Sequence, residues 1–281
     1  MDIKGKVAFV TGGATGIGLA IARSFAARGC KIMLADINAD LLTNAEQELR
    51  SSGADATSVI CDVSDAAAVQ QAAETTIDRF GKVHIVVNNA GVGIGGRPGQ
   101  TPLEDWRWIV DINLMGVVHG VEVFTPLMQA HGEGGYFVNT ASMAGHVTDR
   151  GMPPYYATKF AVVGYSEALK HDLARSDIGV SVLCPAWVQT NIHKSRLASP
   201  TGPSSEAELE NDRGFHAMKQ VVENGLPTAL VGDWTADCVE ANRFYIFTHP
   251  EMQQYIDQRH ELIKADYAAC AADMRLNEAL S

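Results

Sequence analysis

A tyrosine, a lysine and a serine in one short stretch could together move a proton on and off an alcohol oxygen. Tyr155 and Lys159 are four residues apart, and Ser142 precedes the tyrosine by thirteen residues. Residues i and i+4 share one face of a helix, so the Lys159 ammonium can lie close to the Tyr155 oxygen. A phenol has an ordinary pKa of about 10, and a nearby cation lowers it because it stabilises the phenolate. The pattern predicts a general acid–base site.

Tyr156 is the competing tyrosine. It has Phe160, not a lysine, four residues later, and its spacing from Ser142 is one residue longer. The pattern therefore favours Tyr155 as the proton carrier.

The elements that must position these groups alternate along the chain. Strands are expected at Val7–Thr11, Lys31–Ala35, Ser58–Cys61, Ile85–Val87, Tyr136–Thr140, Val180–Leu183 and Phe244–Phe247, with helices near 17–28, 39–52, 65–80, 103–131, 155–175 and 232–241. Strands separated by helices of this length form βαβ units. The prediction is an α/β protein of one domain, residues 1–281, with seven parallel strands in a doubly wound sheet and helices on both faces.

The segment of about 189–231 breaks this alternation with a Ser-Pro-Thr-Gly-Pro-Ser-Ser run and a polar helix-like stretch. Insertions this long after a strand are usually lids or binding loops. We therefore expect a substrate lid here, with a disordered stretch as the alternative. Residues from about 251 to the end predict a helical tail that serves packing or subunit contact.

A glycine-rich loop joins the first strand to the first helix. Gly12, Gly16 and Gly18 allow a tight turn and close backbone approach, with Thr15 and Ile17 between them. The free amides and dipole of the following helix N-terminus attract a pyrophosphate. Because the loop lies at the first strand–helix junction, it predicts a dinucleotide site, where a glycine-rich loop elsewhere would predict only a turn.

The end of the second strand predicts which dinucleotide is bound. Asp36 follows Ala35 there, and no Arg or Lys follows it closely. A carboxylate in this place accepts hydrogen bonds from ribose hydroxyls and repels the additional phosphate of NADP. The expected cofactor is NAD.

Composition excludes several other classes. The net charge is −11 over 281 residues with no basic cluster, which disfavours nucleic acid and anionic membranes as partners. The chain shows neither an apolar leader nor about 18 uninterrupted apolar residues. Its five scattered cysteines have no metal-type spacing, so we expect no metal and a reduced, cytoplasmic protein.

Further motifs occur in a fixed order: Thr11-Gly12-x-x-x-Gly16-x-Gly18, Asp62-Val63, Asn88-Asn-Ala-Gly91, Asn113, Ser142, Tyr155-x-x-x-Lys159 and Pro185. In this order they resemble the short-chain dehydrogenase/reductase family in its compact form, which has a single Rossmann domain. The resemblance is specific over residues 5 to about 190 and looser beyond. It implies a homotetramer formed through the long helices, with a dimer as the second expectation.

The resemblance also implies roles for individual residues. Tyr155 would exchange the substrate proton while Ser142 fixes the reacting oxygen, Lys159 would lower the tyrosine pKa and bind ribose, and Asn113 would kink its helix and hold a water on a proton path. Contacts to the cofactor are implied for Gly12, Thr15, Gly16, Ile17, Gly18, Asp36, Asp62, Val63, Asn89, Ala90, Gly91, Tyr155, Lys159, Pro185, Val188 and Thr190. The family usually has Pro-Gly after the sixth strand, whereas this chain has Pro185-Ala186, which would tilt the nicotinamide pocket slightly.

The substrate is expected to be a bulky, apolar or aromatic secondary alcohol or ketone. Candidate contacts are Gly93, Ser142, Met143, His146, Met152, Trp187 and His193, several of them apolar or aromatic. No convergent arginine pair offers to bind an acid, although Arg150 could pair with one. The Asn191–Ser195 and Phe247–Pro250 segments resemble, more loosely, the subgroup that oxidises benzylic alcohols of lignin-derived aryl ethers. Steroid, terpene and 3-oxoacyl substrates stay open.

A non-catalytic dinucleotide sensor on the same fold is the alternative of a different class. Such proteins typically lose the tyrosine or the lysine, and this chain has both. An NAD-dependent alcohol dehydrogenase is the leading expectation; an epimerase or dehydratase of the longer family branch is disfavoured by the short chain.

Overall fold

The computed structural model describes residues 1–211 and 213–280. Seven strands form one sheet: β1 Val7–Thr11, β2 Lys31–Asp36, β3 Ala56–Ile60, β4 Ile85–Asn88, β5 Gly135–Thr140, β6 Ile178–Cys184 and β7 Tyr245–Phe247. All neighbouring pairs are parallel, in the order β3-β2-β1-β4-β5-β6-β7. The predicted fold is confirmed. The order reverses between β1 and β4, and a crevice opens at such a point beyond the carboxyl ends of the strands.

The helices are α1 Gly16–Ala27, α2 Ala39–Ser51, α3 Ala66–Phe80, α4 Leu103–Val110, α5 Gly116–His131, α6 Pro153–Asp172, α7 Glu206–Leu209, α8 Arg213–Glu223, α9 Thr228–Glu240, α10 Gln253–Ala272 and α11 Met274–Leu280. Short 3-10 turns cover Met143–Gly145, Ile192–Ala198 and Pro250–Met252. The elements predicted from periodicity agree with these bounds to within a few residues.

Side chains of alternate strand residues fill two separate cores. In β1, Ala8 and Val10 pack with α1, α2 and α9 on one face, whereas Phe9 packs with α3, α5 and the end of α6 on the other. This division follows from the two-residue period of a strand. Both faces are buried, which explains why the strand sequences are almost continuously apolar.

One long helical run, Leu103–His131, has the length and the mean hydropathy (1.2) of a membrane span. Core helices of folded proteins pass the same test. Its residues Ile109, Val117, Val121, Phe124 and Met128 are buried in the protein core. Of its 18-residue apolar window 39% is fully buried, and most of the other apolar residues of the run are half-buried, with Leu103 exposed.

Candidate active site

Asn113 interrupts that helical run. The five residues Asp111–Met115 form a π-helical turn between α4 and α5. The Asn113 side chain pairs with the backbone of Val92, accepting from its nitrogen at 2.8 Å and donating to its oxygen at 2.9 Å, and it donates to Thr158 at 3.3 Å. A π turn re-aims the residues it carries. Asn113 therefore ties together the loop after β4 and the helix that carries Tyr155 and Lys159.

Ser142, Tyr155 and Lys159 lie together on one wall of a cleft at the carboxyl ends of the strands. The Ser142 hydroxyl donates to the Pro185 carbonyl at 3.1 Å and accepts from the Ala144 nitrogen at 3.1 Å. The Lys159 ammonium donates to the carbonyl of Thr140 at 2.9 Å and lies 5.6 Å from the centre of the Tyr155 ring. Structure and sequence agree that α6 presents the tyrosine and the lysine on one face.

Burial governs the protonation of this wall. It raises the pKa of Tyr155, and the hydrogen bond with Ser142 partly opposes that rise. Burial also lowers the pKa of Lys159 to about 8, because the charged ammonium loses its hydration. The expected lowering of the Tyr155 pKa by Lys159 is not found. The ammonium is held by the Thr140 carbonyl, and desolvation dominates the tyrosine.

Tyr156 occupies a different setting from its neighbour. Burial raises the pKa of Tyr156 and a backbone hydrogen bond at Asp149 lowers it. It also lines the cleft, but Ser142 acts on the pKa of Tyr155 and not on that of Tyr156. The electrostatics thus pair the serine with the tyrosine that the spacing favours.

The glycine loop opens the other end of the cleft. Gly12 and Gly16 have φ of +59° and +58°, in the left-handed region. A Cβ on Gly12 would lie 2.9 Å from the Ala90 Cα, and one on Gly18 would lie 2.2 Å from the Gly12 oxygen. Only glycine fits these positions, and the N-terminus of α1 is consequently left open towards the cleft. Thr15 and Ile17 line it as well.

Two carboxylates and an asparagine line this half of the cleft. Asp36 accepts from the Ala14 nitrogen at 3.2 Å and from the Asn38 nitrogen at 3.1 Å. Asp62 accepts from the nitrogen and the hydroxyl of Ser64 through one oxygen, Oδ1. Asn89 donates to the Thr11 carbonyl at 3.0 Å, which ties the ends of β1 and β4 together. Val63, Ala90 and Gly91 lie alongside them in the cleft wall.

The segment after β6 closes the cleft between its two ends. Pro185 accepts from Ser142, and the buried Val188 forms an isolated bridge with Leu226. Thr190 lies against the glycine loop, since a Cβ on Gly16 would approach its methyl group to 3.4 Å. Ala186, where the family usually has glycine, donates its amide to His249 at 3.3 Å.

Five of the predicted substrate contacts, other than Ser142, line the cleft: Gly93, Met143, Met152, Trp187 and His193. His146 does not, and this prediction is wrong. Its ring lies 3.3 Å from the Cys184 sulfur and packs edge-on against Tyr245 and Phe247. The turn Met143–Gly145 directs it behind the catalytic wall. Arg150 is likewise not among the residues of the cleft wall.

The structure adds cleft residues that the sequence reading missed. The start of α10 contributes Tyr255, Gln258, Arg259 and Leu262, preceded by Met252. We expected this tail to serve packing or subunit contact only. Its three- and four-residue spacings are the signal of one helix face and could have indicated a wall. Phe215, Met218 and Val222 of α8 line the cleft with the same kind of spacing.

In the part of the chain that the structure describes, one group of possible metal ligands lies outside the cleft. His84, His131 and Glu133 have ligand atoms within 4.8 Å of one another. The Val7 nitrogen donates to His84 Nδ1 at 3.1 Å, and the Glu133 nitrogen donates to His131 Nδ1 at 3.1 Å. A backbone amide therefore occupies the lone pair of each neutral imidazole, which a metal would need. The group is explained as a hydrogen-bonded cluster.

The chain is similar to known dehydrogenases. The profile described as short chain dehydrogenase matches residues 6–200. The CLA biosynthesis dehydrogenase/reductase of Lactiplantibacillus plantarum is 39% identical over 277 residues, covering 95% of this chain and 96% of that protein. The C alpha-dehydrogenase of Sphingobium sp. strain SYK-6 is 31% identical over 273 residues, covering 97% and 90%.

A solved structure is similar over the whole fold. The short chain dehydrogenase/reductase from Burkholderia phymatum, crystallised in complex with NAD, superposes with a TM-score of 0.89 at 38% identity. The match covers 95% of this chain and 96% of that one.

Proposed function

The chain belongs to the short-chain dehydrogenase family, and from that premise we propose that it is an NAD(H)-dependent oxidoreductase that interconverts a secondary alcohol and a ketone. The observation that carries the proposal is the joint placement of Ser142, Tyr155 and Lys159 on the cleft wall opposite an open helix N-terminus. The fold alone would not suffice, because one fold hosts many functions.

The cleft fits a dinucleotide. Its volume is about 1740 Å³, large enough for a cofactor and a substrate together. The amides after Gly16 would bind the pyrophosphate, and the Asp36 carboxylate would accept hydrogen bonds from ribose hydroxyls. Asp62, Val63, Asn89, Ala90 and Gly91 would hold the adenosine side, and Pro185, Val188 and Thr190 the nicotinamide side. Bound NAD supplies the hydride acceptor or donor.

The protein's own residues manage one proton. Tyr155 would receive it from the alcohol during oxidation and return it during reduction, and Ser142 would hold the same oxygen. Lys159, with a pKa of about 8, can change its charge near the working pH and so lies on the route by which the proton leaves. Asn113 keeps α6 and the Val92 loop in register, so we place it as a positioning residue.

The substrate is proposed to be bulky and apolar or aromatic. Met143, Met152, Trp187 and Met252 supply the polarizable and aromatic lining. The relatives are named for different substrates, so their names support the alcohol–ketone chemistry but do not indicate one class of alcohol. That class is proposed from the residues that line the cleft. We also propose that residues 189–231 act as a lid, since Thr190, His193 and the inner face of α8 line the cleft.

The assembly and location are proposals of the same kind. The half-buried apolar residues of Leu103–His131 support association through that helix, as a homotetramer or, failing that, a dimer. Light scattering after size-exclusion chromatography measures this. A cytoplasmic location agrees with the free cysteines of the described chain.

Tyr155→Phe tests the assignment, with Tyr156→Phe as the matched control. Loss of the phenolic oxygen should reduce kcat by roughly 10²–10⁴-fold, because a positioned acid–base group contributes about that much. The Kd of NAD should stay within about threefold. Turnover of secondary alcohols with NAD, followed by NADH absorbance, provides the readout. A fully active Tyr155→Phe protein, or an inactive Tyr156→Phe one, would reverse the assignment.

A further inference from the structure

The lid segment, residues 189–231, crosses the cleft and is fastened along its way. Thr190 touches the glycine loop. Ser195 then accepts from the Gly93 nitrogen at 3.0 Å. The Thr201 nitrogen donates to the buried Asp105 carboxylate at 3.2 Å, and the Thr201 hydroxyl bonds with it as well. The segment thus runs from the cofactor end, past Gly93, to the start of α4.

Arg196 follows Ser195 and lines the cleft. Its Nε is buried and has no hydrogen-bond acceptor within residues 1–211 and 213–280. Among the described residues, the guanidinium forms no ion pair with a carboxylate. A guanidinium stays charged at any physiological pH and must find acceptors when it is shielded from water. A shielded donor without an acceptor destabilises the folded protein, so its retention calls for a reason.

Three other charged groups near the lid segment already have partners. Lys194, on the same 3-10 turn, pairs with Glu206 at 3.0 Å. Arg259, on the facing α10, lies over the ring of Phe160 at 5.2 Å. The Asp105 carboxylate is taken up by Thr201. Arg196 is therefore a cation of the cleft wall that the described protein groups leave without an anion.

The course of the lid segment indicates where that anion comes from. Arg196 follows Ser195, which is held against Gly93, and Gly93 follows Val92, which Asn113 fixes beside the catalytic wall. The pyrophosphate would lie at the glycine loop, which the lid segment approaches earlier, at Thr190. This order along the segment favours an anion on the substrate over the phosphates of a cofactor as the partner of Arg196.

We propose that Arg196 binds a carboxylate carried by the substrate, which makes the substrate a secondary hydroxy acid or the corresponding keto acid. The carboxylate lies away from the reacting carbon, beyond the apolar lining, and the guanidinium binds it with two parallel hydrogen bonds. This assignment rests on the proposed function for the reacting carbon. The substrate site would then combine an apolar lining with one cation, Arg196, on the lid segment.

Three keto acids test the proposed contact between Arg196 and a carboxylate, each compared with its methyl ester: 4-acetylbenzoate, 6-oxoheptanoate and 12-oxostearate. They differ in the distance between the ketone carbon and the carboxylate. Calorimetric titration onto the NADH-loaded Tyr155→Phe protein, in which the ketone binds but should not be reduced, should show at least one acid that binds roughly tenfold or more tightly than its ester. The Arg196 and Lys194 variants are made in the same background. In Arg196→Met that advantage should disappear, since a hydrogen-bonded charge pair contributes about that factor or more. Arg196→Lys should retain part of it.

Lys194→Met is the matched control, because it removes one positive charge from the same turn without touching the substrate side. Its acid–ester ratio should equal that of the Tyr155→Phe protein. The unfolding temperature separates a structural role: Arg196→Met should unfold at the same temperature or higher, because it removes a shielded donor without an acceptor. A clear drop in its unfolding temperature would make Arg196 a folding residue.

The remaining outcomes also decide the matter. Equal binding of acid and ester in all three pairs overturns the proposal. An NADH Kd that rises in Arg196→Met, with the acid–ester ratio unchanged, assigns the guanidinium to the cofactor's phosphates and likewise overturns it. If the wild type does not bind NADH, the proposed function fails, and the same titrations without cofactor still decide whether Arg196 binds a carboxylate.

Discussion

Backbone atoms of the glycine loop pack so closely that no methyl group fits on Gly12 or Gly18, whereas the lid segment meets the cleft through a few side-chain hydrogen bonds. The glycine loop is held by close backbone packing against Asn89 and Ala90 at the end of β4. The lid segment is held by hydrogen bonds of Ser195 and Thr201 and by the bridge between Val188 and Leu226. A cofactor that never varies suits a preformed cradle, and a substrate that must enter and leave suits a wall with few fastenings.

Gly18→Ala should break the preformed region. The new Cβ would lie 2.2 Å from the Gly12 oxygen and 2.5 Å from the Asn89 side chain, so the loop must shift. We expect the Kd of NAD to rise by at least about 100-fold, because a small misplacement of several pyrophosphate donors loses their hydrogen bonds together. Fluorescence titration with NADH measures it.

Gly164→Ala is the matched control for that substitution. Gly164 lies inside α6, and a Cβ there would meet nothing within 4 Å. Alanine is the better helix former by roughly 1 kcal/mol, so this variant should bind NADH normally and unfold at the same or a higher temperature. Normal NADH binding by Gly18→Ala would show that the cradle is not preformed.

Lys159→Met should show how much the buried Lys159 charge lowers the free energy of unfolding. Burial lowers the lysine pKa to about 8, so between pH 8 and its unfolded value the folded protein binds fewer protons than the unfolded chain. Wild-type stability therefore rises with pH across that window, and below pH 8 the buried charge costs on the order of 3 kcal/mol. Lys159→Met should be inactive yet more stable at pH 7.

The stability advantage of Lys159→Met should shrink as the pH approaches 10, because the wild-type lysine then becomes neutral in the folded protein. Urea unfolding at pH 7, 8.5 and 9.5 measures the trend. Lys170→Met, on the same helix but exposed, should show no such pH dependence. A constant difference between wild type and Lys159→Met would mean that the ammonium is not desolvated.

The same contrast explains what could be predicted from the sequence. Three of the predictions depend on local patterns: the glycine spacing, a carboxylate at a strand end and an i, i+4 pair. Local patterns can be recognised in the sequence alone. The profile of the family also ends at residue 200, inside the lid segment. Such patterns are enough to predict that Asp36, Tyr155 and Lys159 share one site, and all three side chains line the cleft.

The substrate side depends on contacts between distant segments, which no local pattern encodes. Asp105 and Thr201 are 96 residues apart, and only folding shows that they meet. His146 follows Ser142 by four residues, yet its turn directs it towards Cys184. Arg196 has an ordinary sequence context, and it is singled out only because its buried Nε has no acceptor among the described residues of the folded protein.

Asp36→Asn should weaken the preference of the glycine-loop region for NAD over NADP. The amide keeps the shape of the carboxylate but loses the charge that repels the NADP phosphate. We expect the NAD-to-NADP preference in kcat/KM to fall by roughly tenfold, in line with a charge–charge difference of about 1.4 kcal/mol. Asp40→Asn, exposed in the first turn of α2, should leave the preference unchanged. An unaltered ratio in Asp36→Asn would assign the selection to another residue.

Thr201→Val should have the smallest effect and act on the lid alone. The Thr201 amide still bonds to Asp105, but the loss of the hydroxyl leaves one buried carboxylate oxygen without that donor. The lid then opens more often, since this fastening contributes on the order of 1 kcal/mol. We expect the substrate KM to rise by roughly three- to fivefold while the Kd of NADH stays the same. Ser204→Ala, which removes an exposed hydroxyl bonded to Glu208, is the control on the same segment. Equal losses for substrate and cofactor would show that the fastening supports the whole cleft and that the two regions are not mechanically separate.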